Sequence, residues 1–177
     1  MANRPLFRAY LALTLDGFVA RRDGGIDWLE PYDANNYGYD EFLAGIGTVV
    51  MGRETYYIVR RHPDWPYAGK RSIVVTRRAL HGLPRETETR PPDFTPLVAE
   101  LRQASDGDVW LLGGGQLIAG FRAAGGLDRL ELGYIPILLG DGIPLFPGVA
   151  DQRHLKLLEH RAWPDSTLLL TYEVLPA

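Results

Sequence analysis

The sequence predicts an α/β domain built on a mixed sheet, and three observations carry that expectation. Short apolar runs alternate with segments of helical spacing. Two strand-to-helix junctions, at Gly52 and at Gly113-Gly114-Gly115, are made of glycine. The chain then closes on two strand patterns separated by a turn, which is an antiparallel end. At 177 residues, 46% hydrophobic and 23% charged, it has enough apolar surface for one sizeable core and is short for two domains.

Each element follows from local pattern. Leu6 to Leu15 reads as a buried opening strand, and Asp16-Gly17 and Asp23-Gly24-Gly25 are turn chemistry ahead of a long loop to Trp28. Tyr39 to Ala44 fits a short helix with Phe42 and Leu43 inward, and Thr48 to Met51 is an apolar run expected to be a central strand. Gly52 then opens a helix over Arg53 to Val59, and Ser72 to Thr76 is a second buried strand. The Pro-, Arg- and Glu-rich stretch from Gly82 to Pro96 is a surface connection with a short edge strand near Glu86 to Thr89. Thr95-Pro96 has the order of a cap and a first-turn proline, with Leu97 and Leu101 on one helix face. Asp108 to Leu112 is a strand, Gln116 to Ala124 a helix, and Leu127 to Leu139 a strand again. His154 to Arg161 and Thr167 to Val174, joined across Pro164-Asp165, form a terminal β-hairpin; His154, Lys156, Leu158 and His160 share a face expected to be solvated.

Composition excludes several classes. Nineteen basic against 22 acidic residues give a net charge of −3, unlike a nucleic-acid-coating protein. Zero cysteines remove disulfides, thiolate metal sites and cysteine nucleophiles. No apolar window approaches about eighteen residues, and the stretch from Ala9 to Leu15 stops at Asp16 without a cleavage pattern. No membrane and no signal peptide are therefore expected, and a cytoplasmic protein is the default. His62, His81, His154 and His160 form no H-x-x-x-H arrangement, so no metal site is expected. Ser72, Ser105 and Ser166 lack a nucleophile elbow.

The chemistry that remains is phosphate binding. Glycine junctions at Gly52 and Gly113-Gly115 would leave backbone N–H groups open at helix N-termini, and Thr76-Arg77-Arg78 would place two guanidiniums at a strand end. A Rossmann fingerprint starting at Gly113 fails at Ile118 and comes too late in the chain, and no P-loop surrounds either lysine, Lys70 or Lys156.

Six segments in one order resemble the dihydrofolate reductase-like superfamily, closest to the branch with the reductase C-terminal domain of bacterial riboflavin biosynthesis. They are Leu13-Thr14-Leu15-Asp16-Gly17-Phe18-Val19-Ala20, Asp27-Trp28-Leu29, Val50-Met51-Gly52-Arg53-Glu54-Thr55-Tyr56, Val74-Val75-Thr76-Arg77, Leu112-Gly113-Gly114-Gly115, and Pro136 to Phe146 with its Leu139-Gly140-Asp141-Gly142. The resemblance implies one domain over residues 1–177: a three-layer fold with a mixed central sheet flanked by helices. It further implies an NADPH-dependent oxidoreductase that reduces a small heterocycle, as does 5-amino-6-(5-phosphoribosylamino)uracil reductase. The alternatives are a dihydrofolate or pteridine reductase and a non-catalytic nucleotide-binding relative.

Carried over by position, the resemblance assigns the cofactor phosphates to Gly52, Arg53, Glu54 and Thr55 and to Gly113, Gly114, Gly115, Gln116 and Leu117. It assigns the 2′-phosphate to Thr76, Arg77 and Arg78, and the nicotinamide carboxamide to the backbone of Ala12 and Leu13. It implies a cis peptide between Gly113 and Gly114. Asp16, Trp28 and Asp40 are the candidate catalytic residues, and Trp28 and Tyr56 the candidate substrate contacts, with Trp28 and Trp110 expected near the site. The chain departs from dihydrofolate reductases proper at Gly133, where those enzymes grip the pteridine with threonine; for their helix carboxylate, Asp33, Asp40 and Glu41 stand open. A homodimer is expected, with Leu127 to Leu139 and the hairpin as apolar edges to cover.

Overall fold

Strand β1 (Phe7–Thr14) alternates between two cores, and that alternation sets the layering. Phe7, Ala9 and Leu13 belong to one buried cluster, while Tyr10 packs on the other. In the computed structural model, which describes residues 4–32, 35–148 and 152–176, β1 is an interior strand of an eight-stranded sheet.

Chain order supplies β2 (Phe18–Ala20), α1 (Tyr39–Ala44), β3 (Ile46–Gly52), α2 (Arg53–Val59), β4 (Arg71–Val75), β5 (Thr87–Arg90), α3 (Phe94–Ala104) and β6 (Asp108–Gly113). It continues with α4 (Gly115–Ala123), β7 (Arg129–Ile135), β8 (Ile143–Pro144), β9 (Leu155–Ala162) and β10 (Leu168–Val174). The sheet order is β5-β4-β3-β6-β1-β7-β10-β9. The first six strands pair in parallel; β10 runs antiparallel to β7, and β9 antiparallel to β10.

On one face α3 and α4 bury Leu97, Leu101, Ile118 and Phe121 against Phe7, Val50 and Leu111. On the other, α1 and α2 bury Phe42, Tyr56 and Val59 against Val49, Met51 and Trp110. This is the expected three-layer α/β arrangement. Its apolar runs stay continuous because the parallel strands are covered on both faces. Close packing also dictates glycine where helix meets strand: a Cβ on Gly115 would lie 2.5 Å from the Leu145 carbonyl oxygen.

Several boundaries differ from expectation. The strand anticipated over Leu127 to Leu139 ends at Ile135, because Pro136 has no N–H for the ladder and the Ile137 N–H turns back onto Ile135. The chain then reaches β8, which pairs with β2 in a separate two-stranded sheet. Nor is that segment an apolar edge: β7 is paired on both sides, and the edge strands of the sheet are β5 and β9. The loop to Trp28 contains a 3-10 helix, Asp27–Tyr32. Helix α3 starts two residues early, with Asp93 rather than Thr95 at the cap position and Pro96 inside the first turn. The edge strand and terminal hairpin fall as expected, and β9 is exposed on both faces, not only on the one holding His154.

Near the amino ends of β1 and β6 sits an ionic cluster. Arg8 donates to both carboxylate oxygens of Glu131 and, at 3.1 Å, to Asp108, with the Arg8 and Glu131 side chains only 14% and 8% exposed. No helix among the described residues is long and apolar enough to cross a membrane.

Candidate functional site

Where the parallel strands end, a cavity of about 1200 Å³ opens along the carboxyl edge of the sheet. Such edges are where open α/β sheets bind ligands. One end collects the two glycine junctions: Gly52, Arg53, Glu54 and Thr55 after β3, Gly113 through Leu117 after β6, and Arg77 after β4. The junctions adjoin: a Cβ on Gly52 would lie 3.6 Å from the Gly113 carbonyl oxygen and 3.8 Å from the Gly114 nitrogen. The Gly113–Gly114 peptide is cis, as the resemblance implied. Helix α4 has Gly114 at its cap, with no side chain bonded over its first N–H groups and nothing within 4 Å of where a Cβ would stand. That leaves an open, partly positive helix end facing the cavity, a fit for a phosphate group.

The other end is aromatic. Tyr10 and Ala12 of β1, Gly133 of β7, Leu169 of β10 and Trp110 and Leu112 of β6 line it from the sheet, and Tyr37, Tyr39, Tyr67 and Trp163 enclose it. Tyr37 is held by the hairpin turn: its hydroxyl donates to Asp165 at 2.5 Å and its ring meets Trp163 edge-on at 5.1 Å. The Tyr10 hydroxyl donates to the Tyr37 carbonyl oxygen at 3.2 Å. Burial, with the Glu131 charge behind it, pushes the Tyr10 phenol up to about 12, and burial raises that of Tyr67 as well. These walls therefore stay neutral at physiological pH.

Of the residues assigned from sequence to a cofactor, the structure brings together on this cavity Ala12, Gly52, Arg53, Glu54, Thr55, Arg77, Gly113, Gly114, Gly115, Gln116 and Leu117. Three others stand off it. Leu13 points into the core at 3% exposure, because alternation puts it opposite Ala12. Thr76 and Arg78 are not on the wall; the Thr76 hydroxyl accepts the Arg78 N–H at 3.0 Å and closes a local turn.

None of the catalytic and substrate candidates lies on the cavity wall. Tyr56 is buried at 3% in the α1–α2 core, and its neighbour Tyr57 is half exposed; Ile58, Val59 and His62 reach the cavity instead. Trp28 is likewise buried, off the cavity wall, with no hydrogen-bond partner on its indole nitrogen. Asp40 is exposed on α1 away from the cavity, Glu41 faces Arg161 at 3.6 Å, and Asp33 lies outside the described residues.

Asp16 is a loop tie. Its carboxylate accepts from the Thr14 hydroxyl at 2.6 Å and from the backbone N–H groups of Leu139 and Gly140 at 3.1 and 2.7 Å. The Thr14 hydroxyl is the main cause that holds its pKa below the ordinary value; the two N–H groups assist and desolvation opposes. A depressed folded-state pKa stabilises above the unfolded value of about 4 and loses that contribution as pH falls through the folded one. In Asp16→Asn we expect faster hydrogen exchange at the Leu139 and Gly140 amides at pH 7, with the difference from the native chain closing below about pH 4. Equal exchange at pH 7 would show that the tie carries nothing.

Sequence reasoning passed over Tyr10, Tyr37, Tyr39, Tyr67 and Trp163. Tyr10 and Ala12 had a readable signal, since they alternate with the core residues Leu11 and Leu13 on β1. Tyr37, Tyr67 and Trp163 come from loops and the hairpin turn, where no periodicity marks them, and Tyr39 opens α1. Among the described residues, no cluster of three or more His, Asp or Glu side chains could hold a metal ion.

The chain is 33% identical over 155 residues to the uncharacterized protein YwjB of Bacillus subtilis (strain 168), covering 84% of this chain and 86% of that one. A crystal structure of a protein named for riboflavin biosynthesis from Shewanella sp. PV-4 superposes with a TM-score of 0.83 at 24% identity, over 97% of this chain and 99% of that one. Dihydrofolate reductase from Enterococcus faecalis, complexed with NADP(H) and RAB-propyl, gives a TM-score of 0.70 at 18% identity, over 96% of each chain. These likenesses establish a dihydrofolate reductase-like fold. The family model described as the RibD C-terminal domain matches residues 5–169, and the chain belongs to that family.

Proposed function

We propose that the chain is a cytoplasmic, single-domain, NADPH-dependent reductase of the riboflavin-pathway type, acting on a small heterocycle such as 5-amino-6-(5-phosphoribosylamino)uracil. The observation that carries this reading is one cavity with two chemically distinct ends, a glycine–arginine end at an open helix N-terminus and a neutral aromatic end. NADPH, when bound, supplies the hydride. The α4 N-terminus at Gly114-Gly115 and the side chains of Arg53 and Thr55 hold its phosphates, and Arg77 reads its 2′-phosphate. The Ala12 backbone faces the carboxamide. Tyr10, Leu112, Gly133 and Leu169 shape the acceptor chamber, and Tyr37 and Trp163 exclude bulk water from it; the proton comes from water.

A titration tests this. NADPH should quench the Trp110 fluorescence saturably and bind more tightly than NADH, and a heterocycle should then drive NADPH oxidation. Absence of binding by either nucleotide overturns the reading. A second reading, a ligand-binding relative without turnover, is favoured by one observation: among the described residues no carboxylate faces the aromatic end. NADPH binding without oxidation across aminopyrimidine, pteridine and carbonyl acceptors would select it.

The same proposal includes a homodimer. Strand β9 is a free sheet edge carrying Leu155, Leu157 and Leu158, each more than 40% exposed, beside Leu168 of β10. An apolar edge of this kind invites strand pairing, and a second copy would cover it. Light scattering should give the mass of two chains, reduced to one by Leu157→Asp. A one-chain mass for the native protein at working concentration removes the dimer.

A further inference from the structure

We propose that Gly133 is the specificity-determining position for the acceptor: its bare backbone, beside Ala12, is the floor on which the face of an uncharged planar ring rests. The inference deepens the reductase reading and rests on it for the word acceptor.

A glycine in the middle of a strand weakens it, because it adds backbone entropy to the unfolded chain and packs no side chain. Such a residue is kept for a reason, and the fold offers none at Gly133. The strand β7 is regular there, with Gly133 in register between Ala12 of β1 and Leu169 of β10. Its backbone is not in the left-handed region, and an added Cβ would make only ordinary contacts, 3.7 Å from the Leu11 carbonyl oxygen and 3.8 Å from the Ala12 Cα. The contrast is with Gly47, where a Cβ would stand 2.8 Å from the Gly107 nitrogen, and with Gly115 at 2.5 Å from the Leu145 carbonyl oxygen; there the fold itself demands glycine.

What lies over Gly133 is the aromatic end of the cavity. Ala12 and Gly133 are adjacent and nearly bare, so the sheet presents a flat patch of backbone between Tyr10 and Leu169. A ligand that approaches backbone this closely must be flat. It must also be uncharged where it touches, since the walls are neutral phenols, indoles and aliphatic groups, and among the described lining residues of β1, β7 and β10 none carries a charge to pair with.

The test uses lumazine, an uncharged two-ring heterocycle, and its 6-carboxylate, with the native chain and with Gly133→Ala and Gly133→Val. Quenching of tryptophan fluorescence reads both ring and NADPH binding, and thermal melting checks the fold. We expect saturable lumazine binding, about tenfold weaker for the carboxylate, and a further loss that grows from Gly133→Ala to about tenfold or more in Gly133→Val, with NADPH affinity unchanged. No lumazine binding by the native chain, equal binding by Gly133→Val, or an equal loss of NADPH in a folded variant each overturns the proposal. If Gly133→Val does not fold, the Ala variant, whose Cβ meets ordinary contacts, decides. Lumazine binding that is sensitive to residue 133 in a protein that fails to bind NADPH leaves the floor standing and removes the reductase reading.

Discussion

Glu131→Ala is expected to destabilise the protein by about 3 kcal/mol or more, the cost of stranding one member of a buried ion pair. Arg8 and Glu131 sit side by side on β1 and β7 with little solvent access, and Arg8 also stacks over the Phe42 ring at 4.6 Å. Removing the carboxylate leaves a guanidinium that cannot leave without disrupting the centre of the sheet. Asp108, 3.1 Å away and partly solvated, compensates only in part. For a chain of this size the loss corresponds to about 6–12 °C in melting temperature. The double variant Arg8→Met with Glu131→Leu should recover most of it, because exchanging both charges for apolar groups removes the desolvation cost together with the attraction. Asp108 keeps the Leu6 backbone N–H at 2.9 Å in that variant, so it is not orphaned. If the single and double variants melt alike, the cluster acts through packing and not through charge. Tyr10, the register partner of Glu131, provides a local check: its phenol should titrate lower in Glu131→Gln, since the charge behind it is part of what raises it.

That cluster also illustrates what the sequence could and could not convey. The layering was legible, because Phe7, Ala9 and Leu13 alternate with Tyr10 and Ala12 and because Thr48 to Met51 is apolar on both faces. The glycine end of the cavity was legible for the same local reason: a glycine junction announces itself within a few residues of chain. The pairing of Arg8 with Glu131 was not, since it joins residues 123 apart whose adjacency exists only once β7 is placed beside β1. The acceptor chamber is of the same kind. Tyr37, Tyr67 and Trp163 come from three separate connections, and only the folded sheet gathers them. Trp28 and Tyr56 lie buried off the cavity wall, since a large aromatic near a motif is as well suited to the core as to a pocket. Asp16 serves as a loop tie, its acceptor capacity met by Leu139 and Gly140, backbone groups that no residue type reveals. Gly133 stood out in the sequence only as a missing threonine. Its meaning came with the register that sets it against Ala12 and Leu169.

Arg77→Ala is expected to weaken NADPH about ten- to a hundredfold while leaving NADH almost unchanged, because a charge-assisted hydrogen bond to the 2′-phosphate is lost and only one of the two nucleotides carries that group. The geometry separates Arg77 from its neighbour. Both follow β4, but Arg77 lies on the cavity wall and Arg78 does not, its N–H being turned back onto the Thr76 hydroxyl. Arg78→Ala should therefore keep the preference, a prediction that composition alone could not make in a chain where 17 of 19 basic residues are arginine. Arg77 is exposed, so its contribution is screened by salt: the NADPH-to-NADH ratio of the native chain should shrink between low and high ionic strength, and that of Arg77→Ala should hardly respond. Arg77→Lys separates fork from charge, since a lysine restores attraction without bidentate geometry and should recover only part of the preference. Equal weakening of both nucleotides by Arg77→Ala would mean that this guanidinium meets the shared pyrophosphate. The 2′-phosphate would then have to be read by another group at this end of the cavity, with Arg53 next in line; its guanidinium already pairs with Glu54 at 2.6 Å and would have to leave that carboxylate to do so.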